Sequence, residues 1–260
     1  MNRLETDLAG QSSTQGAVPL LSFEQIAMTF PDGTEAIAGI DLSVAPGELV
    51  AVVGPSGCGK STLLRIASGL TTASRGRVTV RSEQLGYVFQ DATLLPWRTV
   101  LGNVELPAEL RKIPKTERRV QAEQAIQLVG LTGFEHHHPR QLSGGMRMRV
   151  SLARALTLDP SVFLFDEPFG ALDEITRERM NDELLQLFMR KRFAGLFVTH
   201  SIYEAAFLAR RVVVLSPRPG RVSGEVDVPF GYPRSPALRF EPSFAEITSR
   251  ISGLLRESHQ

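Results

Sequence analysis

Leu49-Val50-Ala51-Val52-Val53 runs directly into Gly54-Pro55-Ser56-Gly57-Cys58-Gly59-Lys60-Ser61, and this junction decides the fold. A short, unbroken apolar run reads as a strand buried on both faces. The octapeptide after it fits the G-x-x-x-x-G-K-S/T phosphate-loop pattern, and a helix is expected from about Lys60. Glycines let backbone N–H groups turn inward around phosphate oxygens, and the helix start adds its positive dipole end. In that frame Lys60 neutralises β- and γ-phosphates, the Ser61 hydroxyl binds Mg²⁺, and Thr62 joins the nucleotide contacts. A chance glycine turn is the alternative, and the strand–loop–helix context argues against it.

Three further apolar runs end in polar residues. Leu85 to Phe89 runs into Gln90, Val162 to Phe165 into Asp166 and Glu167, and Leu196 to Thr199 into His200. Runs of this length suit parallel strands, and helical patterns between them supply the crossovers. In an open parallel sheet, ligands sit beyond the carboxyl ends of the strands. All four candidate segments are therefore expected on one side of one sheet. Unpaired carboxylates at the end of a buried strand are costly, and Mg²⁺ takes hard oxygen ligands. Asp166 would hold the metal's shell, directly or through water, and Glu167 would polarise an attacking water; capping the next helix is the plainer alternative. His200 is a candidate γ-phosphate and water-positioning contact, although a lone histidine is more often structural. Gln90 is a candidate third metal ligand. The helix expected over Glu174 to Lys191 is assigned Ile175, Met180, Leu184, Leu187 and Phe188 on its inner side.

Other segments surround this core. Leu20 to Glu48, broken by Pro31-Asp32-Gly33, reads as an antiparallel hairpin. Asp91 to Arg140 reads as a helical insertion, with helices near Asn103 to Lys112 and from about Lys115 to Val129, closed by Gly130. Ser143-Gly144-Gly145 opens a helix running through Arg154, where Ser143 can cap and the glycines expose N–H groups to an anion; an ordinary capped helix start is the alternative. A Pro217 to Gly220 turn and Val222 to Val228 suggest a second hairpin, and Ser243 to Leu255 a final helix. The chain has 260 residues and a formal net charge of +1, which gives no basis for nucleic-acid binding. Its single cysteine, Cys58, excludes an internal disulfide. No apolar run approaches the roughly 18 residues needed to span a bilayer. These features predict a cytoplasmic protein whose membrane role, if any, comes through a partner.

The order of phosphate loop, Gln90, Leu142-Ser143-Gly144-Gly145-Met146, Asp166-Glu167, Ala171-Leu172-Asp173 and His200 resembles the nucleotide-binding subunit of ATP-binding cassette (ABC) transporters. The likeness covers about Leu21 to Leu215, and the Leu142 to Met146 run is highly specific. It implies an α/β fold: a P-loop NTPase (RecA-like) core with a parallel sheet, an antiparallel β subdomain and a helical subdomain. It also implies residues 1–19 as a flexible tail, 20–215 as the ATPase domain with its helical insertion at about 91–150, and 216–260 as a hairpin and helix extension.

Functionally, the resemblance implies ATP and Mg²⁺ as cofactors and a head-to-tail dimer. Nucleotide on one copy's phosphate loop (Gly54, Pro55, Ser56, Gly57, Cys58, Gly59, Lys60, Ser61) would be closed over by Ser143, Gly144 and Gly145 of the other. Glu167, His200 and Lys60 would be the catalytic residues, and Ser61, Gln90 and Asp166 the metal ligands. Phe30 would stack on adenine, with core packing as its alternative, and Asp173 would lie in the loop joining the two sites. Two positions depart from the usual pattern: Met146 stands where glutamine is most common, and Phe30 where tyrosine is usual.

Leu94-Leu95-Pro96-Trp97, Leu142 to Arg147 and Leu215 to Gly220 are similar to importers of nitrate, sulfonate, taurine and like solutes. That branch implies transmembrane permease subunits, an extracytoplasmic solute-binding protein and a place on the cytoplasmic face of the membrane. A soluble ABC-type ATPase is the competing reading. Trp97 either docks on a permease or is buried within the insertion. Two smaller expectations complete the reading: Cys58 sits beside a helix start that can lower a thiol pKa, with a small residue tolerated at a variable loop position as its alternative, and Arg210, Arg211, Arg218 and Arg221 form a solvated surface. His136, His137 and His138 read as a solvated loop.

Overall fold

A computed structural model describes residues 18–258, so the expected tail lies outside the described residues up to position 17. In chain order the strands are β1 (Leu21–Thr29), β2 (Glu35–Val44), β3 (Leu49–Val53), β4 (Arg75–Val80), β5 (Leu85–Val88), β6 (Val162–Asp166), β7 (Ala194–Val198), β8 (Arg211–Leu215) and β9 (Val222–Asp227). The helices are α1 (Lys60–Ala67), α2 (Val100–Val104), α3 (Leu106–Leu110), α4 (Lys115–Leu128), α5 (Gly144–Leu156), α6 (Glu174–Lys191), α7 (Ile202–Leu208) and α8 (Pro242–Glu257).

One sheet has the order β5-β6-β7-β3-β8-β9, parallel from β5 to β8, with β9 antiparallel on the edge. Its central strands explain their own composition. Side chains alternate across a strand, and here both faces are covered. Leu49, Ala51 and Val53 enter one core, with Phe163, Phe165 and Phe197 and the helical segments α2, α4, α5 and α6. Val50 and Val52 enter the other, with Leu164, Leu196, α1 and the second sheet. Neither face meets water, so neither tolerates polar residues until the strand ends. Register then sets the ends side by side. Val53 pairs with Val214, Val52 with Val198, Asp166 with Val198, and Phe165 with Val88.

The second sheet is antiparallel, with the order β2-β1-β4. The expected hairpin is present as β1–β2, and β4 is a strand the sequence reading missed. Arg75, Gly76 and Arg77 are exposed, so β4 shows little of the alternation that marks a half-buried strand.

Two helical expectations need correction. The helix expected near Asn103 to Lys112 is two short ones, α2 and α3, with Pro107 in the first turn of the second, where its missing N–H costs nothing. Asn103 is fully buried. Its Oδ1 accepts from Leu95 N–H at 2.7 Å, and its Nδ2 donates to the carbonyls of Leu95, Arg98 and Thr99, so it shapes the Leu94–Trp97 loop. Within α6, Met180, Leu184, Leu187 and Phe188 are buried, but Ile175 is 83% exposed. Five residues on a helix turn about 140° at 3.6 residues per turn, so Ile175 cannot share the face of Met180.

Arg211 is no solvated residue either. Its guanidinium donates to Glu48 at 2.8 Å, to Glu225 at 2.9 Å and to the Ser43 carbonyl, tying the edge hairpin to the second sheet. Beyond Leu215 the chain continues the main sheet through β9, and α8 packs on α7, β8 and β9. Among the described residues, no helix is long and apolar enough to cross a membrane.

Candidate nucleotide site

The phosphate loop leaves β3 and enters α1 through Gly57 (φ +77°) and Gly59 (φ +100°), both in the left-handed region that favours glycine. Gly59 has a second reason to lack a side chain. A Cβ there would lie 2.7 Å from Ile37 Cγ1 and 2.9 Å from the Ala36 carbonyl oxygen, because β2 passes directly behind the loop. The Ser216–Arg221 turn braces the same place. Gly220 N–H donates to the Ala36 carbonyl at 2.9 Å, Ala38 N–H donates to the Gly220 carbonyl at 3.0 Å, and Arg218 Nε donates to the Gly57 carbonyl at 3.1 Å. Arg218, expected as plain surface, thus touches the loop.

Lys60 is buried, and its ammonium folds back to donate to the carbonyls of Gly54 at 2.9 Å and Pro55 at 3.1 Å. It also stands 3.6 Å from Glu167 Oε1. Cys58 is 1% exposed, and burial pushes its thiol pKa up in spite of the nearby Lys60 charge. The expected activated thiol is therefore corrected: desolvation of the thiolate outweighs the helix start.

Asp166 ends β6 facing α1. Ser61 Oγ donates to Asp166 Oδ1 at 2.7 Å, and the Tyr87 hydroxyl donates to Oδ2 at 3.2 Å. Tyr87 was missed in the sequence. Its signal was a polar-tipped aromatic two residues before the end of a strand already assigned to the site. Burial, then the Asp166 charge, push its phenol pKa well up, so it remains a donor. A hydroxyl and a carboxylate oxygen in contact form a hard-oxygen pair of the type Mg²⁺ takes.

Glu167 follows with φ +45°, a conformation costly for a residue with a Cβ, and its N–H donates to the Val198 carbonyl at 2.9 Å. The turn brings its carboxylate between two cationic or potentially cationic groups, with Oε1 toward Lys60 and Oε2 2.8 Å from His200 Nδ1. Five residues from three distant stretches of chain thus lie in one connected cluster: Lys60, Ser61, Asp166, Glu167 and His200.

Other candidates lie near this cluster or apart from it. Gln90 stands two residues beyond Val88 at the same sheet edge, is exposed, and makes no hydrogen bond to Ser61 or Asp166 among the described residues. Thr62 is half-buried in the first turn of α1. Phe30 is 37% exposed where the β1–β2 turn opens, and its carbonyl and N–H close that turn with Gly33 and Thr34.

Ser143 caps α5, accepting from Met146 N–H at 3.3 Å, and is exposed. Gly145 lies against α6, where an added Cβ would be 3.0 Å from Thr176 Cγ2. The Met146 side chain packs on the main core. Among the described residues, Ser143 makes no hydrogen bond to the phosphate loop of its own chain. Asp173 caps α6 by accepting from Thr176 N–H at 3.0 Å, and that bond holds its carboxyl below the ordinary range. Trp97 is 71% exposed, so burial within the insertion is excluded.

A family profile described as ABC transporter matches residues 37–170. The taurine import ATP-binding protein TauB of Pseudomonas putida is 42% identical over 245 residues, spanning 89% of this chain and 94% of that protein. A dimeric bacterial ABC transporter cassette of known structure superposes with a TM-score of 0.71 at 32% identity, covering 81% of this chain and 100% of that one. A dimeric post-hydrolysis state of an ATP-binding cassette, bound to ADP and Pi, also gives 0.71, at 31% identity and the same coverage. On these likenesses the chain belongs to the ABC transporter family and is an ATP-binding, ATP-hydrolysing cassette.

Proposed function

We propose that this cassette works as one half of a head-to-tail pair that powers import of a small anionic or zwitterionic solute, with taurine, other sulfonates and nitrate as the candidates. The observation that carries the reading is Glu167, held between Lys60 and His200 at the end of β6. A carboxylate fixed at both oxygens can accept a water proton in a defined direction. His200 sets that direction and stands ready to contact the γ-phosphate. The Lys60 ammonium exchanges its two carbonyl acceptors for phosphate oxygens when nucleotide enters the loop. Ser61 and Asp166, with Gln90 swinging in, would hold Mg²⁺, which supplies charge neutralisation on the β- and γ-phosphates. Phe30 would stack on adenine.

The position of Ser143 supports the pairing. The first N–H groups of α5 have no partners within the helix, and the serine faces solvent. Both fit a γ-phosphate presented by a second copy. Support for pairing comes from the dimeric cassettes to which the chain is similar. Support for import, over a soluble ATPase, comes from the relatives that carry taurine-import names. The exposed Trp97, on a loop organised by Asn103, offers an aromatic anchor for permease subunits. That contact would place the cassette on the cytoplasmic face of the membrane, below an extracytoplasmic solute-binding protein.

The test uses the cassette and its permease together. Glu167→Gln should lower kcat by roughly 10² to 10⁴ and accumulate an ATP-bound dimer in gel filtration. Vesicles holding the complete system should take up taurine only with ATP supplied on the cassette side. Rapid turnover in the variant removes the general-base assignment, and a cassette that never co-purifies with a permease removes the transport reading.

A further inference from the structure

Glu204 is a carboxylate almost sealed from water, on α7, four residues after His200. Its Oε2 accepts from the Thr199 hydroxyl. The same Thr199 oxygen accepts from Ser201 N–H at 3.0 Å, and Ser201 Oγ accepts from Glu204 N–H at 3.3 Å. His200 is thus the middle residue of a knot closed on both sides by Glu204. The other oxygen, Oε1, is buried and accepts no hydrogen bond among the described residues, with Arg177 Nε 3.9 Å away.

Arg177, on α6, also donates to the loop that follows Glu167. Its Nε donates to the Phe169 carbonyl at 3.3 Å and its Nη2 to the Leu172 carbonyl at 2.8 Å, while Nη1 donates to Glu174 at 2.9 Å. Those two carbonyls bracket Gly170, whose missing Cβ would lie 3.5 Å from His200 Cε1 and 3.4 Å from the Glu167 carbonyl. The loop and the His200 segment therefore touch at Gly170 and are joined again beneath it.

We propose that Arg177 and Glu204 are positioning residues for hydrolysis, locking the Phe169–Asp173 loop and the Thr199–Ser201 segment into one body so that His200 stays aligned on Glu167. The inference rests on the assignment of Glu167 and His200 made above. A buried carboxylate with one unsatisfied oxygen is an expensive way to build a fold. Burial pushes the Glu204 pKa up on balance, while Thr199, Arg177, His200 and Asn181 oppose that rise. Neither residue is placed to touch nucleotide. Their effect should therefore fall on the chemical step and leave binding alone.

The experiment measures kcat, KM and fluorescent-nucleotide Kd for Arg177→Met, Glu204→Gln, their double variant and Arg177→Lys, with Glu167→Gln as reference. Each single variant should lose kcat on the order of 10- to 100-fold, as misalignment by about an ångström does, while KM and Kd stay within twofold. The double variant should lose about as much as one single variant, because the pair acts as a unit. Arg177→Lys, keeping charge but losing the fork, should recover only part of kcat. Kcat within twofold of the unmodified cassette in both single variants overturns the proposal. So does a parallel loss of Kd, which marks a merely structural role, and so do losses that multiply in the double variant. If Glu167→Gln itself retains turnover, the assignment of the general base fails, an outcome distinct from any of these.

Discussion

The two anion-facing regions of this cassette differ in how complete they are. At the strand ends nearly every polar group already has a partner in the chain: Lys60 on two loop carbonyls, Ser61 and Tyr87 on Asp166, His200 on Glu167. At the start of α5, Ser143 caps its own helix, faces solvent and reaches no phosphate loop. The first region is assembled by the sheet, whose register brings distant segments together without help. The second lies outside that register, set against α6 through Gly145 and Thr176 and against the loop before α6 through Gly144 and Leu172. A site whose polar groups are paired within the chain is complete as it stands; a capped helix start with its serine facing solvent is open to a partner. That contrast is the physical case for a pair.

The strongest way to break the comparison is Ser143→Arg. ATP binding to the isolated cassette should remain nearly intact while hydrolysis falls by about 10³-fold or more, the scale for a transition-state group supplied in trans. Equal loss of binding by the monomer would place Ser143 in its own site and end the contrast. Next in size is Gly59→Ala, which introduces a Cβ at φ +100° against Ile37 and Ala36. It should destabilise by about 2 kcal/mol or more and weaken nucleotide binding, read by thermal melts with and without ATP. A variant as stable as the parent would mean the loop is less finished than the contacts indicate.

Phe30→Ala sharpens the comparison from the nucleotide's side. If the ring stacks on adenine, the Kd for ATP should rise about 10-fold, from the 1–3 kcal/mol typical of base stacking, with kcat at saturation preserved. An unchanged Kd would return Phe30 to simple packing. The smallest effect belongs to Cys58. Its burial predicts slow labelling by thiol reagents, equal with and without Mg-ATP, and unimpaired hydrolysis. Fast labelling blocked by nucleotide would show that the loop opens.

Local chemistry made much of this legible. A phosphate loop works through backbone conformation and neighbouring residues, so Gly54 to Ser61 displays it within eight positions. Buried parallel strands admit only apolar residues, so the polar residue that ends each one stands out. The illegible parts depend on which surfaces meet. Strand β4 carries no strand signal because its first half holds exposed arginines and it lies at the edge of its sheet beside β1. Arg211 and Arg218 read as solvated because nothing beside them in sequence shows Glu48 or the Gly57 carbonyl waiting across the fold. The Cys58 thiol reads as activated because a helix start is visible in sequence and the packing that seals it is not.

The sequence by itself determined the order of the chemistry: loop, acids, histidine and capped glycines, each set by residue type and spacing along a few positions. The tertiary structure alone decided contact. Glu167 meets both Lys60 and His200 because β6 lies beside β7 and its backbone turns through φ +45°. Asp166 meets Tyr87 because β5 lies on the other side of β6. Those adjacencies come from strand order in a sheet, a long-range choice made by the packing of two cores and invisible to any local reading of the chain.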